Sequence, residues 1–316
     1  DMLHAAHILR DLEAAPLKMK CIAIRSFKLK ILTFKSKIHI AACNIWQYNY
    51  GHQRVRSVEF MNTLLEKKKN GQVSCGTFTQ LKTTAAVEAI GTTGLDYVLI
   101  DSEHATMTTE FIAEAITAAD AAGITPIVRI NSITRDAVLH PLDAGAKGLI
   151  VPAIETPEQV RQLVKYAKFT PVGSRGYAPT RDGRWNPNEL TPDGIAAYMK
   201  HQNQDTLLLP QCETLGCLEH LDEIVSMDGV DGIFVGPLDL SIAMGMPLKL
   251  DDPRMQDTIL HILQTCKKYG KFSTIYCNDA KSAKKYAAMG FDSVTIGLDL
   301  FCLANAYRDI VAEMHN

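Results

Sequence analysis

The chain has 316 residues, 47% of them hydrophobic and 22% charged, with a formal net charge of −2. This composition excludes a disordered or collagen-like polymer and describes a globular protein with a sizeable core. No run approaches the roughly 18 apolar residues of a membrane span, and no basic stripe suits nucleic acid, so neither partner is expected.

Residues 1–60 differ from the rest. They hold ten Lys/Arg against four Asp/Glu, whereas residues 61–316 hold 23 against 31. From Lys18 to Ile40 basic and apolar residues alternate without a glycine. Three readings stay open: a non-native leader with Met61 as the natural start, a targeting or surface-binding arm, or an extra element of the fold. Charges interrupt every candidate signal-peptide core. The eight cysteines (Cys21, Cys43, Cys75, Cys212, Cys217, Cys266, Cys277 and Cys302) form no Cys-x-x-Cys pair. They fit reduced thiols in a cytoplasmic protein.

From Met61 onward short apolar runs alternate with amphipathic segments, the pattern of βα units around a parallel sheet. The runs predict eight strands: Val73–Phe78, Tyr97–Asp101, Pro126–Ile130, Gly148–Pro152, Leu207–Gln211, Gly232–Val235, Phe272–Cys277 and Ser293–Ile296. Helices are predicted over Thr109–Ala122, Thr156–Lys168, Asp193–Gln202, Thr214–Met227 and Pro253–Tyr269. Eight such units over residues 61–316 make one (β/α)8 TIM barrel, whose chemistry belongs at the strands' carboxyl ends. The longest gap, Pro171–Gln204, reads as a functional loop above a strand end.

Charged residues follow the apolar runs. Asp101 and His104 follow the second, Arg129 the third, Glu213 the fifth and Asp239 the sixth. Burying a charge is costly unless it is paired, so the set argues for one shared polar centre. Glu213 and Asp239 suit a hard divalent cation, Mg²⁺, Mn²⁺ or Co²⁺, because they offer oxygen ligands. Such an ion chelates a 2-oxo acid and polarises its carbonyl. Arg129 holds the same oxygens and stabilises an enolate. His104 moves a proton, with Asp101 orienting its ring. Gln211 lies two residues before Glu213 and so shares its face. Backbone N–H groups at Gly236, Pro237 and Leu238 are candidates for the substrate carboxylate, although Pro237 itself offers none. Lys147 and Lys271 precede their strands and lie at the wrong end for Schiff-base chemistry.

Residues 61–316 resemble the HpcH/HpaI aldolase family, the metal-dependent class II pyruvate aldolases. The resemblance rests on Asp96–His104, Pro126–Arg129, Leu142–Ala146 with Gly148–Pro152, Gln211–Thr214 and Val230–Ser241. It implies a phosphoenolpyruvate/pyruvate-type barrel with Glu213 and Asp239 as metal ligands. It further implies that Arg129 binds the pyruvate enolate and that Asp101 and His104 form the proton-handling pair. Asp143 matches a functional aspartate and, lying away from its own mouth, would reach a neighbouring subunit's site. Gly176 belongs to a stretch, Gly173–Gly176, that resembles the family's glycine-arginine loop beside the substrate. The implied assembly is a homo-hexamer, a trimer of dimers. The chain departs from the family at Glu103, where the family residue is small or variable, and in residues 1–60.

The expected activity is cleavage or formation of the C–C bond of a 4-hydroxy-2-oxo acid, giving pyruvate plus an aldehyde. Two rivals stand beside it. One is a malyl- or citramalyl-CoA-type lyase, which the acidic body weighs against. The other is a catalytically silent barrel that binds a 2-oxo acid.

Overall fold

The computed structural model describes residues 62–183, 185 and 194–315. The expected basic extension at residues 1–60 lies outside the described residues. Eight strands close into a barrel in chain order, every neighbouring pair parallel. They are β1 (Ser74–Thr79), β2 (Tyr97–Asp101), β3 (Thr125–Arg129), β4 (Gly148–Val151), β5 (Leu207–Cys212), β6 (Gly232–Val235), β7 (Phe272–Cys277) and β8 (Ser293–Leu298). All eight predicted strands are present, with ends displaced by at most two residues.

Around them run α1 (Thr63–Lys69), α2 (Thr84–Gly91), α3 (Thr109–Ala121), α4 (Arg135–Ala144), α5 (Pro157–Ala167) and α6 (Ile195–Asp205). Then come α7 (Leu215–Glu219), α8 (Leu221–Ser226), α9 (Pro237–Ala243), α10 (Pro253–Lys268), α11 (Ala280–Met289) and α12 (Asp299–His315). None is long and apolar enough to cross a membrane. The segment predicted as one helix from Thr214 to Met227 is two, meeting at His220. Buried Cys217, Leu221 and Ile224 keep helical spacing across that junction, which is why it reads as continuous.

Side-chain alternation sorts the core. On β2, Tyr97 and Leu99 point into the barrel, while Val98 and Ile100 pack outward against the helices. On β3 and β5 the inward residues are Ile127, Leu207 and Leu209, and the outward ones are Val128 and Leu208. A period of two then carries the inward face on to Asp101, Arg129, Gln211 and Glu213. On β1 the inward Phe78 extends in the same way to Gln80. The opposite end is closed by α1, which the sequence reading did not anticipate. Leu64 enters the inner core, and Asn62 Nδ2 donates to the carbonyls of Lys147 (2.7 Å) and Asp205 (3.0 Å).

The described start of the long insertion does not sit above a strand end. It follows α5, which runs antiparallel to the strands, so it leaves from the barrel's amino-terminal face. There Arg175 N donates to the Lys168 carbonyl (2.9 Å). Lys168 Nζ, almost wholly buried, pairs with Asp231 just before β6 (2.6 Å).

Candidate active site

At the carboxyl ends of the strands lies a cavity of about 300 Å³ whose polar lining is Gln80, His104, Arg129, Gln211 and Asp239. Arg129 is its centre and is only 7% exposed. Its Nε and Nη2 both donate to Asp101, at 2.9 Å each, as a two-pronged pair between adjacent strands. Asp101 also accepts from Gln80 Nε2 (2.7 Å) and from the backbone N–H groups of Glu103 (3.1 Å) and His104 (3.4 Å). Burial pushes the Asp101 carboxyl up, but the hydrogen bonds and charge of Arg129, with the Gln80 bond, outweigh it and hold the group below its usual range. Asp101 is therefore ionised at neutral pH and fixes the plane of the guanidinium. The Arg129 guanidinium also lies over the Phe78 ring, 4.5 Å from its centroid.

The third edge of Arg129 faces Glu103. Nη1 lies 3.0 Å from Glu103 Oε2, yet that buried oxygen has no aligned hydrogen-bond donor. Burial raises the Glu103 carboxyl, Arg129 and His104 pull it down, and Asp101 and Asp239 push it up again, leaving it above its usual range. Glu103 was set aside in the sequence as a tolerated departure. Its role was hidden because its partner sits on the next strand.

Glu213 stands just past β5, 6% exposed. It accepts from Ala153 N (2.8 Å) and from Gln211 Nε2. Burial pushes its carboxyl up to about 7, the two hydrogen bonds opposing and the charges of Glu103 and Asp239 adding to the rise. Gly236 makes room for this carboxylate: a Cβ there would stand 2.7 Å from Glu213 Oε2 and 2.8 Å from Gln211 Nε2. Pro237 opens α9, whose first turn holds the exposed Asp239. The Gly236 N–H is occupied by the Cys212 carbonyl (3.2 Å). Of the three backbone positions expected to bind substrate, only Leu238 keeps an N–H with no acceptor inside its helix.

These residues fit a hard divalent cation. The donors are oxygens, the carboxylates repel one another, and Gln211 Oε1 is buried without a partner. Among the described residues no group of three His, Cys, Asp or Glu can hold an ion by itself. A cation held by Glu213 and Asp239 would therefore complete its shell with substrate oxygens and water.

Two expectations change. Asp101 reaches the backbone of His104 and not its ring, because both Asp101 oxygens are committed elsewhere. The exposed His104 ring instead has Nε2 3.8 Å from Glu103 Oε2. Gly176 is absent from the mouth lining. Its loop leaves the far end of α5, and the neighbouring Arg175 turns to Asp143 (2.8 Å) and the Phe169 ring. Asp143 itself lies at the end of α4, which stops at Gly145 in the left-handed conformation (φ 110°), away from its own mouth. The lysines behave as expected. Lys147 pairs with Asp182, Lys271 donates to the Val230 carbonyl (2.6 Å), and no lysine among the described residues lines the cavity.

Residues 74–306 match the HpcH/HpaI aldolase/citrate lyase family. The hydroxypyruvate/pyruvate aldolase of Deinococcus radiodurans is 34% identical over 254 residues, covering 80% of this chain and 89% of that protein. The 2-keto-3-deoxy-L-rhamnonate aldolase of Salmonella gallinarum is 31% identical over 253 residues, covering 78% and 92%. The crystal structure of an HpcH/HpaI aldolase from Desulfitobacterium hafniense superposes with a TM-score of 0.73 at 26% identity, covering 79% of this chain and 96% of that one. On this agreement of sequence, barrel and mouth, the chain belongs to the HpcH/HpaI aldolase/citrate lyase family and is a carbon–carbon lyase.

Proposed function

We propose that the chain is a divalent-metal-dependent aldolase that cleaves or forms the C–C bond of 4-hydroxy-2-oxo acids, giving pyruvate plus an aldehyde. The observation that carries this reading is the mouth itself: a buried, Asp101-braced Arg129 lines it together with Gln211 and Asp239, the buried Glu213 carboxylate is bonded to Gln211, and no described lysine is in the lining. Glu213 and Asp239 would hold Mg²⁺, Mn²⁺ or Co²⁺, which when bound supplies Lewis-acid polarisation of the substrate carbonyl.

The side chains do the rest. Arg129 binds the 2-oxo acid through its edges not held by Asp101 and stabilises the charge that develops as the C3–C4 bond breaks. His104 takes the proton from the 4-hydroxyl, the aldehyde leaves, and C3 recovers a proton to give pyruvate. Gln211 and the Leu238 N–H orient the substrate oxygens. Asp143, tied to Arg175 far from its own mouth, would act only in a neighbouring subunit's site. An assembly of copies, read as a hexamer, agrees with α12, in which no residue is buried. A cytoplasmic setting agrees with six free thiols among the described cysteines.

The test is pyruvate release from a panel of 4-hydroxy-2-oxo acids, with EDTA and Glu213→Ala as controls. Metal-stimulated release that both controls abolish is the expected result. Full activity with either control removes the metal-ligand assignment.

A further inference from the structure

The mouth is divided by chemistry. Its charges stand on one arc, formed by the ends of β2, β3, β5 and β6: Asp101, Glu103, Arg129, Glu213 and Asp239. The other arc is formed by β7, β8 and β1, which are hydrogen-bonded neighbours. It presents Tyr276, Leu298 and Phe78 to the same cavity, with Phe301 from the start of α12. The ring centroids of Phe78 and Tyr276 lie 5.9 Å apart, and those of Phe78 and Phe234 lie 6.1 Å apart, so the wall is continuous.

Two polar neighbours of this wall, Gln80 and Asp299, are already engaged. The Gln80 amide turns to Asp101. Asp299 accepts from Thr79 Oγ1 (2.7 Å) and Gln80 N (3.0 Å). Among the described residues, Lys281 and Lys285 line a separate cavity behind Tyr276 and Pro237, where Asp251 and Asp279 balance them. Lys285 is paired with Asp251 (3.3 Å).

The pyruvate half of the substrate needs the charged arc. We propose that the apolar arc is the acceptor-aldehyde subsite, and that the aldehyde it takes is uncharged, with a short aliphatic or aromatic substituent. This rests on the functional reading above and deepens it. In the synthetic direction the pyruvate methyl carbon bonds to the aldehyde carbonyl carbon. The methyl group loses one proton, the aldehyde oxygen gains one, and nothing is oxidised or reduced. A carboxylate on the aldehyde would enter the apolar arc where Arg129, over the Phe78 ring, is already held by Asp101 and engaged by the pyruvate half, and an unpaired buried charge is heavily penalised.

The experiment uses the full chain with Mn²⁺ and pyruvate. The acceptors are butanal and benzaldehyde against glyoxylate and succinic semialdehyde, with products followed by mass spectrometry. Exchange of the pyruvate methyl protons with deuterium oxide, which needs only the pyruvate half, runs in parallel. The expected kcat/KM for the neutral aldehydes exceeds that for the charged ones by about tenfold or more. Tyr276→Arg and, independently, Leu298→Lys should shift the preference toward succinic semialdehyde while the variant still exchanges the pyruvate methyl protons. Equal or better use of a charged aldehyde by the wild type overturns the inference. So does an unchanged preference in a variant that still exchanges the pyruvate methyl protons. Absence of both activities in the wild type overturns the functional reading and the inference with it.

Discussion

Glu213 carries a measurable cost for the fold. Its carboxyl is raised from 4.5 to about 7, chiefly by burial. An acid whose folded pKa lies above its unfolded one loses stability on ionising. That stability is fully present below about pH 4.5, falls as pH rises, and is gone above about pH 7. The shift corresponds to about 3 kcal/mol. Glu213→Gln keeps an acceptor for Ala153 N and removes the charge. In metal-free buffer at pH 8 the variant should be more stable than the wild type by that order, and near pH 4 the two should converge. Urea unfolding in EDTA at both pH values measures this; equal stability at pH 8 would refute it. The placement of Glu213 was legible, because Leu207, Leu209, Gln211 and Glu213 fall on one face of an alternating strand. Glu103 was not, because it lies past the end of β2, where alternation no longer says where a side chain points.

Gly236 joins β6 to α9 and shows what a connection contributes beyond its length. Its φ of −97° is open to any residue, so the glycine answers to space and not to backbone strain. Gly236→Ala would drive a methyl group into Glu213 and Gln211. Overpacking of this kind costs about 1–3 kcal/mol. The expected result is a folded protein whose Mn²⁺ affinity, by calorimetry, falls by about tenfold or more, since about 1.4 kcal/mol is tenfold in affinity. Unchanged affinity would show that the carboxylate has room to move. The strands themselves were legible from short apolar runs, because burial on both faces leaves them little other composition. The connections were not. The stretch from Pro171 reads in the sequence as a functional loop above a strand end because a loop's face depends on whether a strand or a helix precedes it, and here it follows α5.

At the scale of the molecule, α12 is the element the chain alone does not account for. It spans 17 residues with none buried. Leu303, Tyr307, Ile310 and Met314 recur at helical spacing, and all are exposed. A soluble monomer rarely leaves so long an apolar stripe uncovered, so a second copy is the expected cover. The wild type should sediment as an oligomer, and the pair Tyr307→Glu with Ile310→Glu should reduce it to smaller species. A wild-type monomer at micromolar concentration would refute this. The same helix begins at Asp299, which receives Thr79, Gln80 N and Leu81 N, and Gln80 in turn holds Asp101. Phe301, two residues on, lines the mouth. Dissociation that lets α12 shift should therefore loosen Gln80, then Asp101, then the guanidinium that Asp101 braces. The Glu pair should lower kcat as well as particle size, although neither substituted residue lines the cavity. If size falls and kcat holds, α12 serves assembly alone and its first turn stays seated without a partner.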